Sequence, residues 1–253
     1  MRAKKELGQN FLIDEYIIKV LVECADVNKE DTVLEIGMGT GNVSKVIAQS
    51  AKKLIGAEID PDVIPLLQSS LENEQNVEIL HEDGLRLLRD ALRVRAMNVN
   101  KIVASIPYQI TSPLLHECVN LSLFINTVAL VIQKEVAERI TAKIPDTNYL
   151  ATFLGAFFDV EIVKIVEREC FDPIPKVDSA IVLLKHKATP LIPHSEIKGF
   201  SKFLHHGFLQ QRKMLNKRFG KEILEKSNIN PTRRAETLSV EEWLLLYTNF
   251  IRA

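Results

Sequence analysis

Cysteine is scarce in this chain: Cys24, Cys118 and Cys170 are the only three in 253 residues. They are scattered, odd in number and without metal-ligand spacing. A disulfide framework and a cysteine-held metal are therefore not expected, and the thiols read as reduced and mostly packed. Long apolar runs are missing as well. None approaches the roughly 18 residues of a membrane span, and the charged start MRAKKE is not followed by an apolar signal segment. That pattern points to a cytoplasmic protein with no membrane partner. Internal repeats and low-complexity tracts are absent too. Excess charge is missing from the total, which is −1, but acid is missing locally: from Lys198 to Lys221 the chain carries Lys198, Lys202, Arg212, Lys213, Lys217, Arg218 and Lys221 and no Asp or Glu. Such a run is commonly a solvated helix face. Beside other nucleic-acid signals it reads as a phosphate-contacting surface.

What is present is led by Thr32 to Ser44, TVLEIGMGTGNVS, an apolar β-branched run that breaks into closely spaced glycines. Gly37, Gly39 and Gly41 allow a tight turn and let backbone approach a ligand with no Cβ in the way, and Asn42 or Ser44 can cap the following helix. A dinucleotide fingerprint needs its third glycine three positions after the second, where this chain has Asn42. GxGxG instead suits a nucleoside cofactor without a pyrophosphate, of which S-adenosylmethionine is the usual one. The next apolar run, Leu54 to Ile59, places Glu58 at a strand end 21 residues after Gly37, where a carboxylate can accept hydrogen bonds from a ribose diol. Its bland reading is a solvated acid before the turn Asp60-Pro61.

Taken in order, RAKKELGQNFLI puts basic residues ahead of Phe11 and Leu12, an apolar pair too costly to leave in water, so the segment should fold down onto something. Asp14 can cap a helix to about Ala25 whose stripe of Ile17, Ile18, Leu21, Val22 and Ala25 is core. After the glycine loop the pattern predicts a helix to about Ala51, the Glu58 strand, a helix starting at Pro61, and a third strand at Val77 to His81. Asp83 follows, able to accept from an adenine amino group, to cap a helix over Leu85 to Leu92, or to do both. Lys101 to Ser105 is a fourth strand running into Ile106-Pro107-Tyr108, where proline ends pairing and leaves a hydroxyl, a carbonyl and an aromatic at a strand's carboxyl end. A helix from Ser112 to about Leu121, a fifth strand at Thr127 to Ile132 and a helix over Lys134 to Lys143 follow. Val160 to Val166 and Ser179 to Lys185 should pair as neighbours at one sheet edge. Between them Phe171 reads, unaided, as an anchor into the core. ATPLIPHS, 188–195, reads as a linker, and the rest as helical: the basic segment around Ser201 to Arg218, then a helix near Val240 to Phe250.

These blocks together resemble the ribosomal RNA adenine dimethyltransferase family that acts on the small subunit. LGQNFL, EIGMGTGNVS, the Glu58 strand end, SIPYQITSP, QKEVAERI, FDPIPKVDSA, QQRKMLNKRF and RAETLSVEEW carry the likeness nearly end to end. The resemblance implies an α/β, Rossmann-like class I methyltransferase with a seven-stranded, mostly parallel sheet at 1–187 and a small all-helical domain at 188–253. It implies S-adenosylmethionine as cofactor and transfer to N6 of two adjacent adenosines near the 3′ end of small-subunit rRNA. Asn10 and Leu12 would cover the cofactor, Gly37 would lie against its methionine part, Glu58 would hold its ribose and Asp83 its adenine. Ser105, Pro107 and Tyr108 would hold the target base, with Phe171 on its other face, reversing the unaided reading of that residue. Lys198, Lys202, Arg212, Lys213, Lys217 and Arg218 would grip the RNA of an immature small subunit, and nothing requires more than a monomer. One position departs: the family's fourth-strand motif begins with Asn, where this chain has Ser105. Two other readings are a ribosome-assembly factor with weak or no catalysis and a large-subunit methyltransferase of the macrolide-resistance type.

Overall fold

The computed structural model describes residues 4–210 and 213–252. Its elements run β1 (Phe11–Leu12), α1 (Glu15–Cys24), β2 (Thr32–Ile36), α2 (Asn42–Ser50), β3 (Lys53–Glu58), α3 (Ile64–Ser70), β4 (Val77–His81), α4 (Gly84–Arg89), α5 (Ala91–Ala96), β5 (Lys101–Ser105) and α6 (Thr111–Asn120). They continue with β6 (Thr127–Gln133), α7 (Lys134–Ile140), α8 (Tyr149–Gly155), β7 (Phe158–Val166), β8 (Phe171–Asp172), β9 (Ser179–His186), α9 (Ile197–Phe208), α10 (Lys221–Lys226) and α11 (Val240–Ile251).

A seven-stranded sheet has the order β4-β3-β2-β5-β6-β9-β7. The first five are parallel, and β9 runs antiparallel to β6. Composition explains the arrangement: β2, β5 and β6 are buried along nearly their whole length, as parallel strands covered on both faces must be. β7 alternates covered and exposed positions, which suits an outer strand. From β2 the chain builds outward through β3 and β4, then returns to lay β5 on the other side of β2. The carboxyl end of β2 is thus a topological switch point, where open α/β sheets bind ligands.

Asp14 caps α1, its Oδ1 accepting the Ile17 N–H at 2.9 Å. The expected stripe of Ile17, Ile18, Leu21 and Val22 packs with Val43 and Ile47 of α2 and with Val33, Val103 and Val131 of the sheet. Elsewhere the boundaries move. Asp60-Pro61-Asp62 is a turn closed by the Asp60 carboxylate accepting the Asp62 N–H at 3.0 Å, so the helix expected from Pro61 begins at Ile64. The helix expected over Leu85 to Leu92 breaks at Asp90, whose side chain caps α5 by accepting the Arg93 N–H at 3.1 Å. α7 stops at Ile140, short of Lys143.

By internal packing the chain divides into residues 1–137 with 161–185 and residues 138–160 with 186–253. Residues 138–160, read from the sequence as part of the first domain, therefore belong to the second unit. α8, which the sequence reading missed, explains why: it buries Phe153 and Leu154, and Tyr149 Oη shares a 2.8 Å hydrogen bond with Ser201 Oγ of α9. The core of this unit is aromatic. Phe203 packs on Phe219, Trp243, Tyr247 and Phe250 with centroids 4.9 to 6.0 Å apart. Gly207 lets α9 approach Trp243, whose ring a Cβ would meet at 2.4 Å. Among the described residues the basic segment is not helical throughout Ser201 to Arg218 as expected: α9 ends at Phe208 and a 3₁₀ turn, Leu215–Lys217, follows. Leu215 and Asn216 donate their N–H groups to Arg233 and Pro231 carbonyls at 2.8 and 3.2 Å, so this backbone is bonded outward rather than four residues back. Among the described residues no helix is long and apolar enough to cross a membrane.

Candidate active site

A cavity of about 180 Å³ opens where β2, β3 and β5 end. Of the residues singled out in the sequence, Asn10, Gly37, Glu58, Asp83, Ser105 and Pro107 line it together. Leu12 lines a smaller recess of about 30 Å³ that shares Asn10, Gly37 and Ser105 with the first. Tyr108 and Phe171 line neither.

The glycine loop is built as its sequence demands. Gly37 has φ +73° and Gly39 φ +53°, a backbone region that disfavours side chains. A Cβ on Gly39 would stand 2.8 Å from the Phe11 ring, whereas one on Gly37 would meet nothing nearer than Pro107 Cδ at 3.5 Å. Gly39 thus admits the arm, and Gly37 leaves bare backbone for a ligand. Neither proposed helix cap is used: Gly41 occupies that position, the Asn42 amide donates to the Leu12 carbonyl at 3.0 Å, and Ser44 Oγ donates to Glu35 Oε2 at 2.6 Å.

Glu58 is 5% exposed and its carboxylate is fixed from two sides. Oε2 accepts the Gly39 N–H at 2.8 Å and Oε1 the Asp60 N–H at 2.9 Å, leaving each oxygen a further lone pair. Asp83 caps α4, Oδ1 accepting the Leu85 N–H at 2.9 Å, while the residue also lines the cavity; its two readings are compatible. The Pro107 carbonyl, expected to be freed by irregular structure, accepts the Ile110 N–H at 3.1 Å and retains one lone pair. Tyr108 is half-buried, and its phenol shares a 2.7 Å hydrogen bond with the fully buried Ser179 hydroxyl. Burial pushes the phenol above its ordinary value, against the opposing effect of that bond.

Phe171 requires a correction. Its ring is 2% exposed and packed among core residues, while its backbone pairs with Leu12. The unaided reading as an anchor describes this structure, and a base-stacking face does not. The same pairing of β1 with β8 is what the amino-terminal arm folds down onto.

Sequence reasoning missed four contributors. Glu35, 1% exposed, lines the smaller recess; burial pushes its carboxyl up to about 8, with the Glu58 charge adding to the effect and the Ser44 hydroxyl opposing it. Ser179 was legible only as a strand start. Gln9 and Asp60, joined by a 2.7 Å hydrogen bond, looked like arm and turn residues in the sequence.

The basic residues lie in the second unit. Lys198 and Lys202 are exposed one turn apart on α9, and Lys213 and Lys217 are exposed beyond it. Arg218 is only partly exposed, with a buried Nε that lacks a hydrogen-bond partner among the described residues, and Arg212 lies outside those residues.

Bare glycine backbone, a tethered carboxylate at the next strand end and a second acid at the third are a donor and acceptor set that fits a nucleoside cofactor without phosphates. The model for the family described as ribosomal RNA adenine dimethylase matches residues 1–252. The chain belongs to that family. Small-subunit rRNA methyltransferase A proteins of Clostridium botulinum (strain Loch Maree) and Persephonella marina are each 34% identical to it, covering 96% and 99% of this chain and 92% and 94% of their own. Among solved structures, a dimethyladenosine transferase from Plasmodium falciparum superposes with a TM-score of 0.84 at 26% identity, covering 96% of this chain and 98% of its own. The 23S rRNA methyltransferase ErmE gives 0.75, also at 26% identity, over 95% and 99%. The fold is that of a Rossmann-like methyltransferase, and membership of the family makes this dimethylase a user of S-adenosylmethionine in the general sense.

Proposed function

We propose that this protein dimethylates N6 of two adjacent adenosines near the 3′ end of small-subunit rRNA, acting as a cytoplasmic monomer on an immature small subunit. The observation that carries the reading is the convergence of Gly37, Glu58, Asp83, Ser105 and Pro107 on one cavity at the sheet's switch point. S-adenosylmethionine, when bound, supplies a methyl group on a sulfonium. Gly37 offers backbone to the methionine part, Glu58 its remaining lone pairs to the ribose, and Asp83 an acceptor to the adenine, with Asn10 and Leu12 closing the near side.

The target amine is a poor nucleophile because its lone pair is spread into the ring. Ser105 Oγ and the Pro107 carbonyl accept its N–H bonds, which favours the pyramidal geometry that localises the lone pair. No strong base is needed, and positioning supplies much of the acceleration. Flipping the base costs a few kcal/mol, and stacking on Tyr108 returns about 1–3 kcal/mol. Phe171 has no part in this scheme; Lys198, Lys202, Lys213 and Lys217, with Arg212 and Arg218, contact phosphate.

A second reading, methylation of the large subunit, is not favoured: the ErmE superposition is weaker than that on the dimethyladenosine transferase, and the similar relatives are named for the small subunit. Labelled S-adenosylmethionine offered with unmethylated small or large subunits separates the two. Label on small subunits alone is expected. Label on large subunits supports the second reading, and binding without label would mark an assembly factor.

A further inference from the structure

Asp60 has 0% exposure, yet the transfer scheme gives it no task. Among the described residues every donor around it comes from the amino-terminal arm or its own turn. Oδ1 accepts from Lys4 Nζ at 2.6 Å and from the Asp62 N–H at 3.0 Å, and Oδ2 accepts from Gln9 Nε2 at 2.7 Å. Gln9 closes the ring, its Oε1 accepting the Lys4 N–H at 2.7 Å, and Lys4 Nζ also meets Asp62 Oδ2 at 2.7 Å. Burial pushes the Asp60 carboxyl up, but the hydrogen bonds from Lys4, Gln9 and the Asp62 N–H, with the Lys4 charge, together outweigh it and hold the group below its usual range. The Asp60 N–H, in turn, holds Glu58 Oε1 at 2.9 Å.

The arm is secured differently at its two ends. The inner end is pinned by the β1–β8 pair, by Leu12 at 3% exposure and by the Asn42 amide on the Leu12 carbonyl. The outer end is held through Asp60 and Asp62, by polar contacts whose Lys4 side chain is 30% exposed. Between them, residues 6–11 form one wall of the cavity, and Gly8 turns the chain at φ +64°. A segment stapled by apolar contacts at one end and by a partly solvated ion pair at the other opens at the second end first, because water competes for the charges and not for the apolar staple.

We propose that Asp60 is a positioning residue that fastens this arm over the cofactor cavity and, through its amide on Glu58, ties arm closure to the carboxylate that holds the ribose. Release of the Lys4 contact sets how fast the cofactor and its demethylated product leave. The inference rests on the reading that the cavity binds S-adenosylmethionine.

Full-length wild type, Lys4→Met, Asp60→Asn and the double variant are compared by calorimetry for cofactor affinity, by displacement for the off-rate, and by steady-state transfer. Each single change is expected to speed S-adenosylmethionine release about 10-fold, the scale of one lost charge-assisted hydrogen bond. KM for the cofactor rises with it while kcat stays within about 2-fold, since Asp60 touches no reacting atom. The double variant is expected to fall short of the sum of the two singles, because both remove the Lys4–Asp60 contact, while Lys4→Met also loses the contact to Asp62. Lys4, at the rim, can be changed without endangering the fold. An arm that is merely structural would lower the melting temperature and leave the off-rate alone, and that result, in both single variants, overturns the proposal. Fully additive effects overturn it as well. A wild type that binds no S-adenosylmethionine overturns the cofactor reading and the proposal with it, whereas a wild type that binds with an off-rate unmoved by either change overturns the proposal alone.

Discussion

In the proposed scheme Ser105 is the residue on which catalysis turns most sharply. It lines both recesses beside Gly37, and in that scheme its hydroxyl is one of two acceptors for the target amine. Ser105→Ala should lower kcat about 10²-fold, by analogy with deletion of one preorganised hydrogen-bonding group, and Ser105→Asn should keep or raise activity. An Asn variant without activity would show that serine is not a shorter stand-in for asparagine. Glu35 makes a different prediction, about stability. Its carboxyl sits near 8 in the folded chain, against an ordinary value of 4.5. Through that interval the unfolded chain releases the proton and the folded chain keeps it, so the full contribution is present below pH 4.5 and is lost as pH rises through 8. Glu35→Gln keeps an acceptor for Ser44 and removes the titration. Its stability relative to wild type should rise between pH 5 and pH 8, by about 1–4 kcal/mol in denaturant titrations. A pH-independent difference would contradict the assignment. At this scale the sequence was legible wherever type and spacing coincide, as at Gly37, Glu58 and Asp83. It was silent on Glu35 and Asp60, because an acid in a strand or turn shows nothing of its burial until the chain around it is folded.

Elements were legible in proportion to their periodicity. The five parallel strands announce themselves as β-branched runs, and α1 as a capped stripe, since burial on both faces or on one leaves a pattern in the residues. The end of α9 was not legible. Gln210 through Lys217 has helix-forming composition, but the Leu215 and Asn216 N–H groups are taken by the 231–233 segment, a partner distant in sequence. Phe171 shows the same limit in reverse: local chemistry described it better than resemblance did, because its two-residue strand pairs with β1 and turns the ring inward. The irregular basic segment also has a testable consequence. Lys213 and Lys217 are exposed, so if both contact phosphate, Lys213→Gln and Lys217→Gln should each weaken binding to small-subunit rRNA and reduce the slope of log affinity against log salt by about 1. Unchanged slopes would remove this segment from the interface.

For the molecule as a whole, the cavity belongs to the unit formed by 1–137 with 161–185, while the chain's single tryptophan, Trp243, is fully buried in the other. Tryptophan fluorescence therefore follows the helical unit, and ligand-linked stabilisation originates in the sheet unit. At about 100 times its Kd, S-adenosylmethionine should stabilise the unit it binds by about 2.7 kcal/mol in thermal unfolding followed by circular dichroism, and Glu58→Ala should abolish most of that shift. The division itself was only partly visible beforehand: a proline-rich stretch marked the crossing near residue 186, but nothing in 138–160 advertised its membership of the second unit, which rests on side-chain packing by α8. Whether this cavity dimethylates small-subunit rRNA can be read from a single incubation. The purified protein is incubated with labelled S-adenosylmethionine and small subunits lacking the dimethyladenosines near the 3′ end, and the label is mapped by nuclease digestion. The expected product is N6,N6-dimethyladenosine at two adjacent positions near that end; tight binding to the subunits with no label incorporated would rule the dimethylase activity out.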